Sequence, residues 1–177
     1  GYTGEDGFEL YGPPEKTVAV WKELCKKGEK YGLLTCGLGS RNSLRIEAAL
    51  PLYGNEFAET EKPFGVGMDW AIKLQKTEEF FGKKALLAAK EAGKNNYAIV
   101  GLKTSEKMVP RDGYRVLSFD KEQIGRVTSG TYSPLLDQPI ALAMIQKDYS
   151  TSKGCLVEIR QKLIEVEVVE LPFLTRS

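Results

Sequence analysis

The sequence predicts an α+β protein in two parts, a mixed helix-and-strand segment over residues 1–94 and an all-β domain over 95–177. Three observations carry this. Apolar residues recur at helical spacing before Gly93, the polar run Lys94-Asn95-Asn96 breaks the chain, and six short strand-like runs follow without a helix. Six strands in about 80 residues make a barrel or a sandwich.

Gly1-Tyr2-Thr3-Gly4-Glu5-Asp6-Gly7 is a glycine-rich turn feeding a strand over Phe8–Tyr11, and Gly12-Pro13-Pro14 stops that strand. Domains rarely open inside such a turn, so the chain reads as a fragment of a longer protein. Pro14 suits a first helical turn. From Glu15 to about Tyr31, Val18, Trp21, Leu24 and Cys25 mark one helical face, lysines 26, 27 and 30 crowd the end, and Gly32 is the C-cap. A second helix spans about Ser40–Leu50, with Ser40 as N-cap and Pro51 as terminator. Met68–Leu74 alternates as a half-buried strand, and Lys83–Ala92 is an Ala/Leu-rich helix closed by Gly93. The later strands are Tyr97–Lys103, Tyr114–Phe119, Gln123–Thr128, Ile140–Gln146, Cys155–Gln161 and Leu163–Leu171, with Asp120-Lys121-Glu122 as a hairpin turn between the second and third.

Composition removes several function classes. Among 177 residues, Lys+Arg is 25 and Asp+Glu is 24, so there is no basic footprint for nucleic acid. No apolar run reaches the roughly 20 residues of a membrane span. Histidine is absent, which excludes His-assisted triads, Cys–His dyads and His-bearing zinc sites. Cys25, Cys36 and Cys155 are widely spaced and odd in number, and they read as buried, reduced thiols in a cytosol-like compartment. Carboxylates, Arg, Lys, Tyr and backbone amides remain for chemistry.

Glu9 lies in the first strand, opposite in face to Phe8 and Leu10. Its carboxylate can accept two hydrogen bonds from a flat donor–donor edge, such as an aminopyrimidine ring N–H with its amino group. Taken alone it is a solvated strand glutamate. Arg41 sits in the first turn of the second helix, where the macrodipole favours anions, so its guanidinium fork needs a partner. A pairing with Glu47 or Glu5 is the plain reading, and Arg45, Glu47 and Asn42 form a structural network as the alternative. Trp70, Tyr53, Phe57, Phe64 and Phe80-Phe81 read as core or domain-interface residues and not as a ring-stacking platform. Thr128-Ser129-Gly130-Thr131-Tyr132-Ser133-Pro134 reads as a hydroxyl-rich turn between barrel strands, and no Gly-Lys-Ser/Thr follows to make it a P-loop. From these local readings alone the chain is a two-domain fragment with a small-molecule site left open.

Several separated blocks carry more. They are Gly1-Tyr2-Thr3-Gly4-Glu5-Asp6-Gly7-Phe8-Glu9, then Cys36-Gly37-Leu38-Gly39-Ser40-Arg41-Asn42-Ser43-Leu44-Arg45-Ile46-Glu47-Ala48, Leu50-Pro51-Leu52-Tyr53-Gly54-Asn55-Glu56, Trp70-Ala71-Ile72-Lys73-Leu74, Phe81-Gly82-Lys83-Lys84-Ala85-Leu86 and Ile124 to Pro134. In order and spacing the chain resembles the C-terminal half of the glycine cleavage system T-protein family, the tetrahydrofolate-dependent aminomethyltransferases. Gly65-Val66-Gly67-Met68-Asp69 departs from the Glu-Ala-Gly-Leu-Gly usual there, with Asp69 in place of a glycine.

The resemblance implies three domains around a folate channel. Residues 1–94 would be the C-terminal part of the central α+β, ferredoxin-like-type folate-binding domain, and 95–177 the C-terminal β-barrel domain. It implies transfer of an aminomethyl carbon from lipoylated H-protein to tetrahydrofolate, with release of ammonia and no metal. By position, Glu9 and Arg41 match the family's pterin-binding residues, Tyr2 a tyrosine lining that pocket, and Arg176 a tail residue reaching toward the folate. The catalytic aspartate belongs to the preceding half, so no catalytic residue is assigned here and the isolated fragment is expected to be inactive. The implied compartment is the cytoplasm in a bacterium or the mitochondrial matrix in a eukaryote. Two alternatives stand beside this: the folate-binding portion of a dimethylglycine or sarcosine dehydrogenase-like flavoenzyme, and a non-catalytic folate-binding relative of the kind that supports iron–sulfur assembly. The Gly-Tyr-Thr-Gly-Glu-Asp-Gly start favours the aminomethyltransferase. The lack of a Lys-Tyr-Gly-Cys-type motif lowers the non-catalytic relative.

Overall fold

The computed structural model describes residues 1–59, 64, 66, 68, 71–92 and 96–174. Among these residues three α-helices precede six strands: α1 Pro14–Gly28, α2 Leu38–Glu47, α3 Lys83–Glu91, β1 Tyr97–Lys103, β2 Arg115–Leu117, β3 Gln123–Ser133, β4 Gln138–Gln146, β5 Gly154–Ile159 and β6 Lys162–Val169. The strands close into an antiparallel barrel in the order β1-β4-β3-β2-β5-β6, with β6 pairing back onto β1. This decides between barrel and sandwich, and closure leaves no exposed sheet edge.

The barrel interior is filled at a stride of two, as side chains alternate along each strand. Val100 and Leu102, Ala141, Ala143 and Ile145, Cys155, Val157 and Ile159, and Ile164 and Val166 form one core. The hairpin turn falls where expected, with Lys121 at φ 66° and the Ser118 N–H bonded to the Glu122 carbonyl at 2.8 Å. β4 is buried on both faces because Ile140 and Leu142 point outward under a second cluster, Ile46 of α2 and Phe173 of the tail.

β3 runs to Ser133, well past the expected Thr128, so the hydroxyl-rich segment is strand and not turn. A bulge makes this work. Val127 pairs with Ala143, but Ser129 pairs with Leu142, so one extra residue shifts the alternation. Ser129, Thr131 and Ser133 consequently share the outward face with Leu142 and Ile140, under α2. Gly130 is required here: a Cβ would meet the Pro110 carbonyl oxygen at 1.7 Å.

α1 begins at Pro14 and continues as a 3-10 turn to Tyr31, with Gly32 at φ 75° closing it as expected. α2 begins earlier than expected. Gly37 takes the N-cap in place of Ser40, at little cost because glycine caps almost as well as serine. It also ends earlier, at Glu47. Ala49 adopts φ 56°, its N–H bonds the Ile46 carbonyl at 2.9 Å, and the Leu50 N–H bonds the Arg45 carbonyl at 2.8 Å. That pair of bonds is a Schellman closure, and it terminates the helix before Pro51 is reached.

Among the described residues two expected strands do not form. Phe8–Tyr11 forms no ladder with any described residue and leaves Phe8 97% exposed. Alternation alone does not make a strand; a partner edge must be present to take the backbone hydrogen bonds. Within Met68–Leu74 the described residues form turns, with the Ala71 N–H bonded to the Met68 carbonyl at 3.0 Å, while Asp69 and Trp70 lie outside the described residues. α1 likewise fully buries none of its apolar face: Val18, Trp21 and Leu24 stay exposed and Cys25 is half-buried, and with Cys36 exposed only Cys155, inside the barrel, is the buried thiol expected of all three. Among the described residues no helix is long and apolar enough to cross a membrane.

Candidate functional site

The glycine-rich start lies against the end of α2. Gly4 sits at φ 74°, and a Cβ there would be 2.5 Å from that of Ala48, so only glycine permits the approach. The approach brings Tyr2 beside α2. Its ring carries the Arg41 guanidinium at 4.4 Å from the centroid, and its hydroxyl donates to the Pro51 carbonyl at 2.7 Å. Burial pushes the Tyr2 phenol above 10.0, with the Glu56 carboxylate adding to the rise and the Arg45 and Arg41 guanidiniums opposing it.

Glu9 is exposed and accepts a hydrogen bond from the Tyr11 hydroxyl at 2.6 Å. That bond holds its carboxyl below the ordinary 4.5; the amino terminus and the Arg41 charge act in the same direction. Arg41, 32 positions further along the sequence, is the smallest of these influences on Glu9, and its side chain stacks on Tyr2. Glu9 stands in an unpaired segment and not in the strand expected for it. Arg176 lies outside the described residues.

Beneath this surface is a buried polar joint. Arg45 and Glu56 form an ion pair at 3.2 Å, 2% and 0% exposed. The Arg45 guanidinium also donates to Asn42 Oδ1 at 3.0 Å, to Ser129 Oγ at 2.7 Å and to the Leu50 carbonyl at 3.4 Å. Glu56 accepts in addition from the Leu52 N–H at 2.8 Å and from the Ser129 hydroxyl at 2.7 Å. Asn55 donates to the Thr128 carbonyl at 2.9 Å. Two residues further along α2, buried Glu47 accepts from Ser133 Oγ at 2.6 Å, and its carbonyl accepts the Leu174 N–H at 3.2 Å. Arg45 and Asn42 thus follow the structural-network reading, and Glu47 turns to β3.

The family model described as the GCVT N-terminal domain matches residues 1–76, and the glycine cleavage T-protein C-terminal barrel domain matches residues 98–174. The chain belongs to the glycine cleavage T-protein family. It is 44% identical over 177 residues to an aminomethyltransferase of Bacillus subtilis, covering 99% of this chain and 48% of that relative. It is 45% identical to one of Saccharopolyspora erythraea, covering 100% and 48%. The crystal structure of glycine cleavage system aminomethyltransferase T from Bartonella henselae superposes with a TM-score of 0.88 at 32% identity, over 99% of this chain and 48% of that one. The chain therefore spans about half the length of the curated relatives it matches.

Within this T-protein half, the residues that sequence reasoning passed over are Glu56, Ser129 and Ser133. Charged and hydroxyl side chains read as surface by default. One signal was available: Ser129, Thr131 and Ser133 recur at a stride of two, the period of one strand face. Among the described residues no group of three or more Cys, Asp or Glu is arranged to hold a metal ion.

Proposed function

We propose that this chain is the tetrahydrofolate-binding half of an aminomethyltransferase, in which the carbon carried by the lipoyl arm of H-protein passes to tetrahydrofolate with release of ammonia. Residues 1–94 and 95–177 act as the folate-binding and barrel domains. The carboxylate of Glu9 takes the ring N–H and amino group of the pterin, and the Arg41 guanidinium takes its carbonyl side. Tyr2 lines the same site, and Arg176 approaches the folate tail. The observation that carries the reading is the stacking of the Arg41 guanidinium 4.4 Å above the Tyr2 ring, and the Arg41 charge, the smallest of the influences on the exposed Glu9 carboxyl, supports adding Glu9 to them. A flat heterocycle with a donor edge and an acceptor edge matches that set of groups.

Calorimetric titration of the protein at full family length with tetrahydrofolate tests this. Glu9→Ala and Arg41→Ala should each weaken binding by about 1–3 kcal/mol, the cost of leaving a polar partner unpaired. Unchanged affinity in both variants removes the assignment. The 177-residue chain alone should bind weakly and show no turnover, because the resemblance assigns the catalytic aspartate to the other half.

A further inference from the structure

The structure assigns a positioning role to the buried pair Arg45–Glu56: through Pro51 and Tyr2, it sets where the Arg41 guanidinium stands. This deepens the folate reading and rests on it. Leu50, Pro51 and Leu52 are gripped on both sides of the proline. Arg45 Nη1 holds the Leu50 carbonyl at 3.4 Å, and Glu56 Oε2 holds the Leu52 N–H at 2.8 Å. Between them the Pro51 carbonyl is the acceptor for the Tyr2 hydroxyl at 2.7 Å, and the Tyr2 ring carries Arg41 at 4.4 Å. The other end of the chain of contacts is fixed to the barrel, because Ser129 of β3 bonds both members of the pair at 2.7 Å.

Helix geometry gives the pair a second reason to be there. Arg41 and Arg45 are four residues apart on α2 and share a face, so their charges repel. Glu56 answers the charge of Arg45 from within the core. The Arg41 guanidinium is thereby left to the surface. Buried ion pairs are weak devices for stability alone, since apolar replacements of equal volume often do as well. Their attested use is to fix one geometry. Here the geometry fixed is that of the loop under Tyr2.

Tetrahydrofolate dissociation constants of the protein at full family length test this, with melting temperature recorded for each variant. The set is Arg41→Ala, Arg45→Lys, Tyr2→Phe, and each of the last two combined with Arg41→Ala. Lysine keeps the charge of Arg45 but cannot reach Asn42, Leu50, Glu56 and Ser129 together. Tyr2→Phe cuts only the anchor to Pro51 and keeps the ring, so it carries the test if Arg45→Lys fails to fold. Both should weaken binding by about tenfold, and both effects should shrink to within about twofold in the Arg41→Ala background, the non-additivity of groups acting through one another. Folded Arg45→Lys and Tyr2→Phe with affinity within twofold of the parent would overturn the positioning role while a weakened Arg41→Ala kept the folate reading. Effects that multiply independently of Arg41 would overturn it as well. Unchanged affinity in Arg41→Ala would remove the positioning role together with the Arg41 part of the folate reading.

Discussion

Glu56→Gln is the sharpest single perturbation of the joint between α2 and the barrel. The carboxylate accepts three hydrogen bonds, from Arg45, the Leu52 N–H and the Ser129 hydroxyl, and it is fully buried. An amide keeps the volume but offers one acceptor oxygen. If that oxygen takes the position facing Arg45 and Leu52, the amino group faces Ser129, whose oxygen already accepts from Arg45 and from Asn55 at 3.3 Å. If the amide is reversed, two donors confront the amino group. The first orientation is the less costly, and it still leaves the Arg45 charge buried without its counter-charge. Breaking a buried pair in this way costs about 3 kcal/mol at the lower end of the usual range. For a chain of this length that lowers the melting temperature by about 6–12 °C. Equilibrium urea unfolding should show a lower midpoint at an unchanged slope. A Glu56→Gln midpoint that corresponds to less than about 0.5 kcal/mol would refute the reasoning, because it would mean that water reaches the pair.

Ala49→Gly should stabilise the protein by about 1 kcal/mol, since Ala49 stands at φ 56° in the closing position of α2, where glycine carries no Cβ penalty; a lower melting temperature would count against the closure described. Burial pushes the Cys155 thiol up to about 12, so at pH 8 roughly one part in ten thousand is thiolate. Exposed Cys36 should therefore react with a disulfide reagent in the native state while Cys155 reacts only on unfolding, and rapid native labelling of Cys155 would contradict the barrel core. Tyr11→Phe removes the bond that most strongly depresses the Glu9 carboxyl, so its pKa should rise toward 4.5 in an NMR titration; a pKa that stays put would show that the Tyr11 hydroxyl does not hold it. The sign is that of a carboxylate stabilised in its ionised form, with the effect present above the ordinary pKa and lost as pH falls through the depressed one.

The barrel was legible because its information is local. β1 matches the expected Tyr97–Lys103 to the residue, and the other strands differ mainly at their ends. Each strand presents alternate apolar residues to one interior, so period two is written into the chain. α1 and its cap at Gly32 were legible for the same reason. Phe8–Tyr11 and Met68–Leu74 alternate equally well, yet Phe8–Tyr11 and the described residues of Met68–Leu74 form no strand, because pairing depends on an edge elsewhere, which alternation does not encode. The candidate site divides along the same line. Glu9, Arg41 and Tyr2 came from resemblance across separated blocks, and their side-chain types fit a heterocycle. Arg45, Glu56 and Ser129 needed three dimensions, because a charge is buried only when something distant neutralises it.

The bulge at Thr128 connects these two levels. Were β3 regular, Ser129 would continue the phase of Val127 and point into the barrel among Ala141 and Ala143. Its hydroxyl would be stranded there, and Thr128, Gly130 and Tyr132 would face α2 in place of Ser129, Thr131 and Ser133. With one residue added, the polar side chains of β3 exchange faces at the point where α2 crosses. An apolar interface would let α2 slide along the barrel wall at modest cost, since hydrophobic contact is non-directional. The fork of Arg45, meeting Glu56 and Ser129 at fixed distances, admits one register. The helix that carries Arg41 is held to its barrel by directional bonds, and the irregularity in the strand is what presents the partners for them.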